Sequence, residues 1–271
     1  MGRIIALLVV VLLFMLLFFP RWIPRLLGLL GRSVRDAGQV GAELATGEEH
    51  SGSPLARYEV QAGDLVLLKI QASVVPTDDA KLQEMVEALG RRVASQARRK
   101  EIPYRFTVVE EPEPNAFAVP GGAIFVSRSL LYCCHENRDR IASLLGHEIA
   151  HIDLRHAVYN LATRAAVKTG TQLVSLGRAG VLKWFSGSIQ DLLVKGYRQD
   201  QEFEADRVGA SLAQAAGFDP RGLSDLLREV AAKRDSRGDP FDQIYSYFST
   251  HPPLAERIAR LQTDIGQPRA S

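Results

Sequence analysis

The segment His147-Glu148-Ile149-Ala150-His151 constrains this chain more than any other, because it sets two imidazoles and a carboxylate among apolar neighbours. Ile141, Leu144, Leu145 and Ile152 recur around it at helical spacing, which predicts an amphipathic helix over 140–155. At about 100° per residue, positions i and i+4 lie about 40° apart and one turn along the axis, so the two imidazoles converge on one ion. The chain has only six His, and chance would produce this spacing roughly 0.008 times in such a composition.

An ion that does chemistry needs a third protein ligand and an open position. His156 is nearest in sequence, but five residues is about 500° of rotation, about 140° from the ligand face if the helix continues. The metzincin pattern is excluded, because Leu154 and Ala157 stand where it wants Gly and His. Downstream, Glu202-Phe203-Glu204-Ala205-Asp206 opens a predicted amphipathic helix continuing through Val208, Leu212 and Ala216. Glu202 and Asp206 share one face at i, i+4. One binds the ion while the other accepts a hydrogen bond from the second nitrogen of a ligating His, and spacing alone does not order the two. Glu204 projects elsewhere, towards solvent. This is the zinc-peptidase arrangement, in which Glu148 lies beside His147 to address a zinc-activated water as general base.

Composition matters once the chain is divided. The mean hydropathy of −0.04 hides sixteen consecutive apolar residues, Ile4 to Phe19, flanked by Arg3 and by Pro20, Arg21, Trp22 and Arg25. This run reads as an uncleaved, single-pass N-terminal transmembrane helix, since bulky and charged residues follow it where a signal peptidase wants small ones. Arg21, Arg25, Arg32 and Arg35 alternate with Trp22, Ile23, Leu26, Leu27, Leu29 and Leu30 as in a helix on a headgroup surface, making the lipid bilayer an expected partner. Basic residues on that flank favour a cytoplasmic domain; a periplasmic or otherwise extracytoplasmic one is the alternative. With 33 basic against 31 acidic residues, a net charge of +2 argues against nucleic acid as a partner. The expected organisation is a membrane anchor and basic amphipathic segment over 1–36, a linker over 37–56 and one domain over 57–271.

Within that domain Asp64–Val75 is β-prone, and Asp78–Arg99 carries Leu82, Met85, Val86, Leu89 and Val93 at helical spacing. Strands are expected at Tyr104–Glu110, Ala116–Val119 and Ala123–Ser127, the last two joined by a Pro120-Gly121-Gly122 turn. From Arg128 onward the chain reads as almost wholly helical, so the fold class is α+β, mostly helical. Cys133 and Cys134 are too close for ordinary disulfide geometry and read as packed thiols. No run of about 18 apolar residues lies between His156 and Glu202, so no second span is expected there. Thr169–Gly187 reads either as a cover over the cleft or as a loosely packed helical connection.

Four segments, NAFAVPGGAIFVSRSLL (115–131), LLGHEIAHIDLRH (144–156), QEFEADRVGASLAQAAGFDP (201–220) and STHPPLAERIARL (249–261), carry a resemblance. In this order they resemble the HExxH zinc metalloendopeptidase family, gluzincin in type, that includes HtpX, the CAAX prenyl endopeptidases and the BepA-like proteases. The resemblance implies a metallopeptidase domain holding one Zn2+ per chain on His147, His151 and Glu202, with Asp206 behind a ligating His. It implies a small sheet in which Ala123, Ile124 and Phe125 form the edge strand for a polypeptide substrate, and it places His251 at the metal or the oxyanion. His251 is then either catalytic at the oxyanion or a ligand that blocks the site at rest; its plainer role is a helix N-cap region before Pro252-Pro253. Arg257 either orients that loop or lies on the surface. Unlike HtpX, the chain has no further spans in the expected places and falls in the single-anchor branch. The function this implies is endopeptidase hydrolysis of unfolded or damaged proteins at a membrane, as in protein quality control. A membrane-bound chaperone or scaffold, retaining the fold with little or gated proteolysis, is the alternative.

Overall fold

The computed structural model describes residues 54–160, 196–232 and 254–266, with Gln39 and Glu43. The expected membrane helix, the segment 169–187 and His251 lie outside the described residues. Among the described residues no helix is long and apolar enough to cross a membrane.

Helix α1 spans Pro54–Gln71, where a strand was expected over Asp64–Val75. The aliphatic run DLVLLKI has strand-like composition, but Gly63, Val66, Leu67 and Ile70 turn inward while Leu65 and Leu68 are exposed. That is the i, i+3, i+4, i+7 stripe of a helix, and packing on one face overrides local β propensity. Pro54 at the first helical position suits a helix start. Helix α2 (Ala80–Ala94) begins at Asp79, whose carboxylate accepts the Leu82 N–H at 3.0 Å, and buries Val86, Leu89 and Val93.

Strands β1 (Arg105–Val109), β2 (Ala116–Val119) and β3 (Ala123–Ser127) form one sheet in the order β1-β3-β2. β3 runs parallel to β1 and antiparallel to β2, the hairpin closing through Gly121 and Gly122 at positive φ. Ala123, Ile124 and Phe125 therefore lie on the central strand, which corrects their assignment to an edge. All five β3 residues are buried and both margins are paired, so no backbone remains there for an added peptide. The outer margin of β1 is also occupied. The Gln83 amide donates to Phe106 O and accepts from Val108 N–H, and Thr77 N–H donates to Val108 O.

The short helix α3 (Arg128–Cys133) leads through Cys134, both cysteines being buried and outside any disulfide, to α4 (Arg138–Asp153). The Asn137 carboxamide caps α4 by accepting the Asp139 and Arg140 N–H groups. Every residue from Ile141 to Asp153 is buried, making α4 the axis of the domain. It packs against α2, β2, α5 (Gln199–Ala215) and α6 (Gly222–Ala232), and α7 (Leu254–Gly266) lies across α5 and α6. Leu144, Leu145 and Ile149 are among its fully buried side chains, each worth about 1.5–3 kcal/mol of apolar burial.

Two glycines set the α4–α5 crossing. A Cβ on Gly146 would lie 2.5 Å from Gly209 O, and one on Gly209 would lie 2.5 Å from His147 N. Backbone therefore meets backbone beside His147, and the turns of α5 preceding Gly209 are carried along the polar face of α4.

Candidate metal centre

Helix α4 projects His147, Glu148 and His151 inward, and α5 brings Glu202 and Asp206 to meet them; all five are buried. The two imidazole Nε2 atoms lie 3.1 Å apart. Glu202 Oε2 is 3.5 Å from His147 Nε2, and Glu202 Oε1 is 3.7 Å from His151 Nε2. One ligand atom from each of the three residues lies within 4.8 Å of the others. Tetrahedral ligands at zinc bond lengths are separated by about 3.4 Å, a spacing these distances bracket. Two imidazoles and one carboxylate are also a donor set that suits zinc better than the oxygen-seeking calcium or magnesium. The residues present fit the ion.

Asp206 sits behind the pair, its Oδ1 2.9 Å from His147 Nδ1. The ordering of the two carboxylates that spacing left open is thus given by position. Glu202 faces the Nε2 atoms and Asp206 the far nitrogen of His147. Asp206 is itself gripped by Arg257 of α7 through two bonds of 2.8 and 2.6 Å, and Arg257 is 1% exposed. Burial opposes ionisation of Asp206, but Arg257, aided by His147, outweighs it and holds the carboxyl at about 2. Burial likewise opposes a charge on His147, yet Asp206 and Glu202 outweigh it and raise the imidazole to about 10. Asp206 and Glu202 thus favour positive charge at the position of this imidazole.

The surface alternative for Arg257 is overturned. A signal for its burial stood in the sequence: Leu254, Arg257, Ile258 and Leu261 occupy one helical stripe, so the arginine lies on the apolar face of α7. The 140° offset of His156 fails for another reason. Helix α4 ends at Leu154, Arg155 takes a left-handed φ of 56°, and the chain turns back so that His156 Nδ1 lies 2.9 Å from His151 Nδ1. Nothing in the residue pattern marked that turn. Glu204, assigned to solvent, is half-exposed and reaches His156 Nε2 at 3.4 Å. Tyr197, not singled out from sequence, stacks on His151 with centroids 3.9 Å apart and planes at 14°. Burial raises the Tyr197 phenol, and the charges of Glu148 and Glu202 add to that effect.

A buried helix bearing two imidazoles one turn apart, a carboxylate from a second helix and a buried glutamate beside the first imidazole define a metallopeptidase domain. The family model of Peptidase family M48 matches residues 78–265, and the chain belongs to that family of metalloproteases. It is similar to the Beta-barrel assembly-enhancing protease of Escherichia coli, 28% identical over 232 residues, covering 81% of this chain and 46% of that protein. It is also similar to the Mitochondrial metalloendopeptidase OMA1 of Schizosaccharomyces pombe, 30% identical over 174 residues, covering 64% of this chain and 50% of that protein. Metalloendopeptidase OMA1, mitochondrial, of Bos taurus is 31% identical over 182 residues, covering 62% and 33% respectively. The chain spans half or less of the length of these relatives.

Proposed function

We propose that this chain is a membrane-anchored, zinc-dependent endopeptidase that cuts unfolded or damaged polypeptide segments. The observation that carries the reading is the buried convergence of His147, His151 and Glu202 with Glu148 on the same helix. The chemistry supplied by bound zinc is Lewis acidity towards the scissile carbonyl and towards water. His147 and His151 would hold the ion through Nε2 and Glu202 through its carboxylate, and Asp206 with Arg257 fixes the tautomer of His147. Glu148 accepts a proton from the attacking water as the C–O bond forms, then delivers it to the amide nitrogen as the C–N bond breaks. Burial of the whole set keeps bulk water from screening these charges.

A substrate held by strand addition no longer has Ala123–Phe125 to pair with. Among the described strands β2 is the one with no second strand beside it, and it packs against α4 and α1. Main-chain pairing there would make selection by sequence loose, in keeping with unfolded substrates. The apolar run Ile4–Phe19 and the arginines that follow support an anchor with the domain on the cytoplasmic side. An assembled donor set with Glu148 in place favours turnover over a scaffold.

The test compares wild type with Glu148→Gln on a casein-type substrate, zinc content being measured in parallel. The variant is expected to lose hydrolysis and keep its zinc, with wild-type activity sedimenting with membranes and the domain protected from protease added outside spheroplasts. Undiminished cleavage by Glu148→Gln would sink the mechanism, and activity that stays soluble or a domain cut from outside would sink the topology.

A further inference from the structure

The two histidines of the site are held by different devices. His147 is backed by a charged, fully buried pair, Asp206 and Arg257. His151 is backed by His156, which in turn meets the half-exposed Glu204. We propose that His156 is a positioning residue for the metal centre, fixing the ring of His151 so that its Nε2 faces the ion. The inference rests on the reading of His147, His151 and Glu202 as ligands.

The hydrogen-bond directions follow from the atoms involved. If His151 offers the Nε2 lone pair to a cation, its proton sits on Nδ1 and is donated to His156 Nδ1 across 2.9 Å. His156 then carries its own proton on Nε2, which faces the Glu204 carboxylate at 3.4 Å. Each ring has one assignment of donor and acceptor that satisfies both contacts, and that assignment leaves the metal-facing nitrogen of His151 free of a proton. Tyr197 covers the flat side of the same ring, so its edge and its face are both restrained.

The backbone supports a dedicated role. Arg155 at φ 56° is a non-glycine residue in the left-handed region, a conformation disfavoured by about 1–2 kcal/mol. Had α4 continued through that residue, His156 would point about 140° away from the ligand face. Glu59 of α1 lies 3.7 Å from Arg155 and bridges to Arg99, which donates to Ile152 O at the end of α4. The turn that returns His156 to His151 is thus fastened from outside the helix.

The test uses the full chain and Co2+ as a visible probe, titrating wild type, His156→Leu, His156→Asn and His147→Ala. Wild type is expected to bind one Co2+ and His147→Ala to lose it. His156→Leu, which offers no polar atom to Nδ1 of His151, should weaken Co2+ binding ten- to a hundredfold and shift the d–d absorption of the bound ion. His156→Asn keeps a polar atom near the Nδ1 position and should recover most of the affinity and the spectrum, with both variants melting alike when metal-free. Glu204→Ala, at the half-exposed end, should cause a smaller loss in the same direction. Wild-type affinity and spectrum in His156→Leu, or equal losses in the Leu and Asn variants, would overturn the role of His156 alone. Absence of Co2+ binding by wild type would overturn the metal-centre reading beneath it.

Discussion

Arg257 governs Asp206, and through Asp206 the orientation of His147. A carboxylate and a guanidinium buried together gain little net stability over apolar residues of the same shape, but removing one strands the other. Arg257→Gln is therefore expected to cost about 3–5 kcal/mol, read from urea unfolding at neutral pH. The pH dependence has a definite sign. Asp206 titrates near 2 in the folded protein, below the value of about 4 for an unfolded aspartate. Its contribution is fully present above about pH 4 and is lost as pH falls through about 2, because the unfolded chain takes up the proton first. The urea midpoint of wild type should fall across this window, and that of Arg257→Gln should fall less. For His147 in the metal-free protein the sign is opposite: a folded value raised to about 10 adds stability below its unfolded value of about 6.5, lost as pH rises through 10.

The α4–α5 pair is the element on which the site depends, since one helix carries both imidazoles and the other both carboxylates that face them. Their separation is fixed where Gly146 and Gly209 cross. A methyl group at 209 would meet the backbone of His147, which has no flexible end to move aside. Gly209→Ala should therefore push the helices apart and lower both thermal stability and zinc affinity, whereas an alanine on the exposed side of α5, as in Arg207→Ala, should leave zinc affinity unchanged. Equal zinc affinity in Gly209→Ala and wild type, measured by competition with a chromogenic chelator, would contradict this account. Helix α1 has a different task. Its Glu59 enters the interior to meet Arg99 in a bidentate pair of 2.8 and 2.9 Å, tying the first described helix to the end of α4.

Across the whole molecule, Glu202 lies more than fifty residues from His147 and His151, so an ion held as proposed would link α4 to α5 and be lost on unfolding. Zinc at about a thousandfold above its dissociation constant should stabilise the fold by about 4 kcal/mol, seen as a rise in Tm that a chelator reverses and calcium does not reproduce. Much of this was legible along the chain. His147 and His151 converge because the helical repeat places i and i+4 on one face, and Glu202 and Asp206 share a face for the same reason. The helix at 80–94 and the hairpin at 116–127 follow from apolar periodicity and turn residues, which are local. Other features were illegible because they depend on what packs against what. The run from Asp64 to Ile70 has the composition of a strand and becomes a helix because only one of its faces meets the core. Ala123–Ser127 was legible as a strand, but its central place depends on pairing with β1, a long-range choice that strand composition does not encode. His156 joins His151 through a left-handed residue that tertiary contacts hold in place. The order of residues along the chain specifies the chemical groups and the helix faces that carry them. Which groups back each histidine and which strand lies at the margin follow from packing in three dimensions, because they depend on how elements distant in the chain are brought together.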